Sequence, residues 1–219
     1  MRSRPANPAR TLLLRTIALQ IAALCAWWLV LYQPSLVLLR VAAEIPFTFL
    51  LSSQSQPPLQ VDAKGDWNFS IPVNTVVKDP KEGPSPRPVS SIGFAAPPEN
   101  VAPFTTGWFV YLALALSLPF TRPNLQRTLL GMGVQTAVNA LALFIYAEVN
   151  ALGILASLHA APDPFYEWVL KYAYHIDYLV IPYAGPFFLL LFTHPAWWEQ
   201  LTAGSREAQP GRQTAAYWV

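Results

Sequence analysis

Long apolar runs separated by short polar joints set the pattern of this chain. The first run, 16–40, is interrupted only by Gln20, Gln33 and Pro34 before it closes on Arg40. That length suffices for a bilayer core of roughly 30 Å with some tilt. The second, 103–120, is shorter and uncharged, and it carries Trp108 and Tyr111 near one end, where aromatic rings favour an interface. The third, 128–158, stays apolar to Ala147 and then meets Glu148 and Asn150, so it reads as a spanning helix with an outer extension. The fourth, 178–194, is ringed by Tyr172, Tyr174, Tyr178, Tyr183, Trp197 and Trp198. The pattern predicts an all-α membrane protein with four transmembrane helices.

Residues 41–102, between the first two runs, change character. From Leu59 the pattern alternates, turns at Lys64-Gly65-Asp66, and alternates again through Trp67, Phe69, Ile71 and Val73. Alternation on both sides of a Gly-containing turn predicts a β-hairpin over 59–73. Two strands alone are marginal in water, so the ribbon is expected to lean on the membrane or on a partner. Residues 78–98 are rich in Pro and read as an extended or disordered linker. The remaining joints are a basic N-terminus at 1–15, a turn at 121–127, a loop at 159–177 and a tail at 195–219.

Composition agrees with this layout. Of 219 residues, 53% are hydrophobic and 12% charged, about half the charge of a typical soluble domain. A net charge of +2 gives no basis for nucleic-acid binding, and one Cys excludes an internal disulfide or a multi-Cys metal site. Arg2, Arg4, Arg10, Arg15, Arg122, Arg127, Arg206 and Arg212 fall on one side of the four-span layout, with Glu199 and Glu207 as the only acids there. The other side holds six cations against ten acids. The positive-inside rule therefore puts both termini in the cytoplasm. Val41-Ala42-Ala43 resembles a signal-peptide cleavage site, but the apolar run before it is far too long and Arg40 abuts it, so an uncleaved anchor is expected.

Candidate chemistry is sparse. Cys25 sits mid-span, where hydrocarbon disfavours a thiolate. His159, His175 and His194 form no metal-binding spacing, and no metal or cofactor site is expected. His175 and Asp177 make the one polar cluster at the outer interface, read either as an interfacial collar or as a small enzyme site. No phosphate loop or nucleophile elbow is present, and the spanning cores hold no ionisable carboxylate or cation before Glu148, which counts against a proton-coupled transporter. The third run carries the best positional signal. At about 100° per residue, Gln135, Asn139, Tyr146 and Asn150 share a sector of about 60°. Amides in hydrocarbon need partners, so this stripe either docks a partner protein or ties the bundle together.

Several local features recur in one arrangement. These are the Arg-rich start with Trp27-Trp28, the hairpin from Gly65-Asp66-Trp67 to Ile71-Pro72-Val73, and the short second span ending Leu118-Pro119-Phe120. The turn from Arg122 to Arg127 and the third span with Gln135 and Asn139 complete it. Across most of the chain this layout resembles the exosortase H-associated membrane protein family. The resemblance implies a multi-pass inner-membrane component that accompanies an exosortase, the membrane enzyme that processes C-terminal sorting tails. An exosortase uses a Cys, an Arg and a His at the outer face of the membrane. This chain has no Cys outside the first span, so a non-catalytic accessory role is expected. Candidate partner-binding residues are Gln135, Asn139, Tyr146 and Asn150, with Trp67 and Phe69 on the hairpin; the partner is the enzyme or its substrate. The alternatives are a small membrane enzyme built on His175 and Asp177, or a subunit of an unrelated envelope or transport complex.

Overall fold

The computed structural model describes residues 8–51, 57–77, 87–158, 163–195 and 197–199. Expectations that fall on Arg2, Arg4, linker residues 78–86, His159 and the tail beyond Glu199 lie outside the described residues.

The first apolar run becomes α1 (Pro8–Ala26), a π turn (Trp27–Leu31) and α2 (Tyr32–Leu50) in one uninterrupted helical path. Pro34 explains the wide turn. It has no N–H to give, and its ring crowds the carbonyl four residues earlier, at Val30. A π bulge relieves that crowding. The Trp27 indole N–H then points to Thr105 Oγ1 at 3.0 Å and Ser35 Oγ at 3.3 Å, pinning the turn from both sides.

The path also changes direction. A straight helix would carry Phe47 about 30 Å beyond Trp27. Yet Trp27 meets Thr105, and nearby Gly107 lies against Gln135 and Asn139, whereas the Phe47 ring is 5.3 Å from that of Phe144. Phe144 is only about 8 Å along its helix from Asn139. So α1 packs on the second apolar helix, and α2 turns aside across the third. The expected single span over 16–40 is thus two differently directed helices.

The second run forms α4 (Pro103–Leu116), preceded by the short α3 (Pro98–Val101). It ends at Leu116, earlier than the expected 120, where the Ser117 hydroxyl donates to the Leu114 carbonyl. The third run forms α5 (Arg122–Ser157), which starts inside the expected 121–127 turn. Thr121 caps it, accepting from the Asn124 N–H, and Pro123 occupies the first turn, where its missing N–H costs nothing. The expected loop at 159–177 contains a helix, α6 (Pro164–His175), which a second π turn (Ile176–Val180) joins to α7 (Ile181–Thr193). Asp163 accepts from the Phe165 N–H, Pro164 is the first helical residue, and Glu167 pairs with Lys171 one turn on.

The centre of the bundle is α4, which spans only Pro103–Leu116. Arg15 and Gln20 on α1, and Trp27 just after it, donate to the Leu116 carbonyl, the Val110 carbonyl and Thr105 Oγ1, so α1 and α4 run antiparallel. On α5, Thr136 accepts from Trp108 and the Arg127 carbonyl from Tyr111, again antiparallel. On the α7 side, Phe104 meets Tyr178 and Tyr111 meets Thr193, which makes α4 and α7 parallel. The start of α1, the end of α4, the start of α5 and the end of α7 therefore gather at one end, with Arg15, Arg122 and Arg127. Among the described residues, two helical paths, Arg10–Leu50 and Arg122–Ser157, are long and apolar enough to cross a membrane; α4 and α7 are apolar but shorter. Their outward faces expose large apolar side chains, from Ile17, Ile21 and Leu24 on α1 to Leu129, Leu130 and Leu141 on α5 and Phe188 and Phe192 on α7.

At the opposite end lies a three-stranded antiparallel sheet, β1 (Leu59–Val61), β2 (Trp67–Val77) and β3 (Arg87–Ala96), in that order. The hairpin expected at 59–73 is present as β1 and β2. Asp62 shapes its turn by accepting from the N–H groups of Lys64 and Asp66, while Gly65 takes a φ of 91°. Desolvation is the largest single influence and opposes these bonds, but together the bonds hold the Asp62 carboxyl below its usual range. The third strand corrects the expected linker. Proline content hid the alternation of Ile92, Phe94 and Ala96, which pair with Ile71, Phe69 and Trp67. Pro88 is tolerated because β3 is an edge strand, and Pro72 because β1 has already ended and a bulge follows. The sheet is no freestanding ribbon. Trp67, Phe69 and Ile71 are all buried, with Phe69 meeting Phe47 of α2 and Tyr146 of α5.

Gly131 carries a close α4–α5 contact. A Cβ there would lie 1.8 Å from the Tyr111 hydroxyl, whereas one at Gly133 would meet nothing within 4 Å. Gly131→Ala is expected to lower the thermal midpoint of the detergent-purified chain by several degrees, for an overpacking cost of about 1–3 kcal/mol. Gly133→Ala is expected to leave it unchanged or raise it. Equal midpoints for the two variants in a thermal melt would contradict this account of the α4–α5 contact.

Candidate functional site

The polar stripe of α5 faces inward. Gln135 is 2% exposed and Asn139 1%, and the Gln135 amide donates to Asn139 Oδ1 at 2.8 Å. Their spacing of four residues puts them one turn apart on the side that α4 approaches. Gly107 makes that approach possible: a Cβ there would be 2.6 Å from Gln135 Nε2 and 3.5 Å from Asn139 Oδ1. The pair is not fully satisfied, because Asn139 Nδ2 is buried without a hydrogen-bond partner. Such an orphan donor lowers the net contribution of the pair to about 1 kcal/mol or less.

Further along the stripe, Tyr146 is buried and Asn150 donates its amide to the Tyr146 carbonyl at 2.8 Å. The Tyr146 ring belongs to an aromatic chain that links the sheet to three helices. Its centroid lies 6.1 Å from Phe69, 5.7 Å from Phe104 and 6.2 Å from Tyr174, and Tyr174 stacks on Tyr178 at 5.5 Å. Trp67 joins from the sheet, stacked on Phe69 at 6.5 Å. Edge and offset contacts of this kind add about 0.5–1.5 kcal/mol each beyond burial.

Five of the six candidate residues fall into two buried groups, the amide pair of Gln135 and Asn139 and the aromatic chain with Tyr146, Trp67 and Phe69, while Asn150 is half-buried beside Tyr146. Trp67, Phe69, Gln135 and Asn139 present no surface to a partner in this state. The hairpin, expected to lean on the membrane or on a partner, leans on the chain's own helices, and its candidates Trp67 and Phe69 are covered there. Period-two apolar residues mark a buried strand face equally well, and the helices beneath supply the cover.

The other sequence candidates are dispersed. Cys25 is exposed on the outward face of α1, beside exposed Leu24 and Trp28. His175 is exposed at the end of α6 with its ring against Tyr174, and the Asp177 side chain lies outside the described residues. Among the described residues no group of three His, Cys, Asp or Glu side chains is placed to hold a metal ion.

One cluster was not anticipated. His194, 1% exposed, sits at the basic end where α4, α5 and α7 meet. Its Nδ1 lies 2.9 Å from Thr193 Oγ1, and its Nε2 lies 3.2 Å from the Asn124 carbonyl and 3.4 Å from Thr128 Oγ1. Tyr111 extends the network through Thr193 at 3.0 Å. The Thr193 hydroxyl, with one proton to give, donates to the Leu189 carbonyl at 2.8 Å, while a neutral imidazole can donate Nε2–H to the Asn124 carbonyl. The network clamps the end of α7 to the start of α5. In sequence the cluster is scattered over residues 111–194 with no spacing rule, so it was not legible there.

No family model matches the chain, and neither a curated protein nor a solved structure matches it.

The amide pair generates a coupling prediction. Gln135→Met leaves both polar atoms of Asn139 unpartnered, at an expected cost of about 1–3 kcal/mol. Gln135→Met combined with Asn139→Leu removes every polar side-chain atom of the pair and is expected to return to within about 1 kcal/mol of the native chain. Denaturant titration in detergent of both single variants and the double variant measures the coupling. Simple addition of the single effects would show that the two amides do not act as a unit.

Proposed function

We propose that this chain is a non-catalytic accessory protein of the bacterial inner membrane. On this reading it crosses the bilayer four times, through α1, α4, α5 and α7, with both termini in the cytoplasm. The observation that carries the reading is the distribution of exposed side chains. Large apolar residues cover the outward faces of α1, α5 and α7, while Arg15, Arg122 and Arg127 mark one end and the sheet caps the other. An apolar surface that wraps three helices favours hydrocarbon around the bundle. The cationic end suits the cytoplasmic side. The antiparallel run of α1, α4 and α5, followed by α7 parallel to α4, supports four crossings.

The partner follows from the resemblance to the exosortase H-associated proteins, namely an exosortase or the tail of a protein that it sorts. With Trp67 and Phe69 turned inward, the face left for that partner is the opposite, polar side of the sheet. There Gln60, Asn68 and Ser91 line a cleft of about 500 Å³ with Gly93 and Pro57. Small and uncharged side chains along this face leave room for another backbone to lie close.

Two measurements test the reading. After Cys25→Ser, a cysteine introduced at Lys64 is expected to react with a membrane-impermeant maleimide on intact spheroplasts, and one at Arg122 only after permeabilisation. Reaction of both from outside would overturn the four-span topology. For the partner, Gln60→Arg with Ser91→Arg is expected to cut co-purification of the exosortase or its substrate at least fivefold, with the chain's abundance unchanged. A tagged native chain that recovers neither protein would remove the sorting assignment.

A further inference from the structure

At about 100° per residue, α2 divides into three sectors of about 80° each. Leu36, Leu39, Ala43 and Phe47 form the buried one, against α5 and the sheet. Gln33, Arg40, Glu44 and Thr48 form an exposed polar sector, joined by the Arg40–Glu44 ion pair at 3.4 Å and including one apolar residue, Val37. Leu38, Val41, Ile45 and Phe49 form an exposed apolar sector, with Phe49 82% exposed. A helix that passed straight through a bilayer would have no use for a polar stripe. One lying in the interface plane needs one face for protein, one for water and one for hydrocarbon. The crossing of α2 over α5, near the level of Phe144 and shortly before Glu148, fits that position.

Beneath the apolar sector is a groove of about 410 Å³, lined by Ile45, Pro46 and Phe49 of α2 and Gly133, Ala137 and Leu141 of α5. The absent side chain at Gly133 opens it, since nothing lies within 4 Å of a Cβ there. Its polar lining residue, Thr136, is already engaged: the hydroxyl donates to the Met132 carbonyl and accepts from Trp108. An occupant therefore finds no unused hydrogen-bonding side chain. The groove also continues the apolar surface of α5 at Val134 and Leu141. A second membrane-spanning helix running along α5 would collide with α2, which crosses its way. A flexible hydrocarbon tail entering sideways under α2 would not.

We propose that this groove binds one acyl chain of an outer-leaflet phospholipid, held beneath α2 as an in-plane helix. The proposal rests on the membrane-spanning reading above. The test uses the full chain reconstituted in dioleoylphosphatidylcholine vesicles, checked by flotation, then extracted in mild detergent for native mass spectrometry. The native chain is expected to float with the vesicles and to retain one phosphatidylcholine. Gly133→Phe fills the groove and is expected to lower the lipid-bound fraction at least fivefold. Val134→Phe, beside the groove, is expected to leave that fraction unchanged. Gel filtration and thermal melts establish that both variants remain folded; if Gly133→Phe does not fold, Ala137→Leu takes its place with the same expectation. Flotation with equal retention by native and filled chains would overturn the acyl-chain site alone, as would a native dimer that the filled variant dissolves. Failure of the native chain to float would overturn the membrane reading itself.

Discussion

The close approach of α4 to α5 holds the bundle together. Across it, the Tyr111 hydroxyl reaches over Gly131, and the side chains of Gln135 and Asn139 lie over Gly107. Each glycine leaves a hole on its own helix that a polar side chain of the other occupies. Small residues at such contacts let backbones draw near when the surroundings are apolar and no hydrophobic gain separates helix from lipid. Because α4 is short and central, α1 and α7 are also positioned by it, through Gln20, Trp27 and Thr193. Loosening the glycine contacts would therefore displace helices that never touch the glycines.

The two ends of the molecule are built by different forces. At the basic end, His194, Thr128, Thr193, Tyr111 and backbone carbonyls form a hydrogen-bonded clamp. Directional bonds fix the register of α7 on α5 there. At the sheet end, the aromatic chain from Trp67 to Tyr178 fills the angle between strands and helices with large rings. Burial area does most of the work at that end, and ring geometry adds a smaller increment. The sheet thereby becomes part of the bundle core, and its polar side faces away. On the proposed reading, the face left for a partner is then that of Gln60, Asn68 and Ser91 rather than Trp67 and Phe69.

The sequence by itself determined the apolar runs, the Lys64–Asp66 turn with its two strands, and the shared face of Gln135, Asn139, Tyr146 and Asn150. Each depends on neighbours a few residues away, through helical or strand periodicity and the conformational freedom of Gly65. It also held signals that composition masked. Asp163-Pro164 opens α6, and the alternation of Ile92, Phe94 and Ala96 continues past the prolines that suggested a linker. Only the tertiary structure decided where those faces point. Whether Gln135 meets a partner or Gly107 depends on how closely α4 lies, and whether Phe69 is exposed depends on Phe47 and Tyr146. The bend at Trp27–Leu31, which turns one long apolar run into α1 and the crossing α2, has a local cause in Pro34. Its direction is set by Thr105 and Phe144, residues about 80 and 110 positions away in the chain. Contacts of that separation carry no periodic trace in a single sequence, because a side chain's chemistry does not state which distant backbone will cover it.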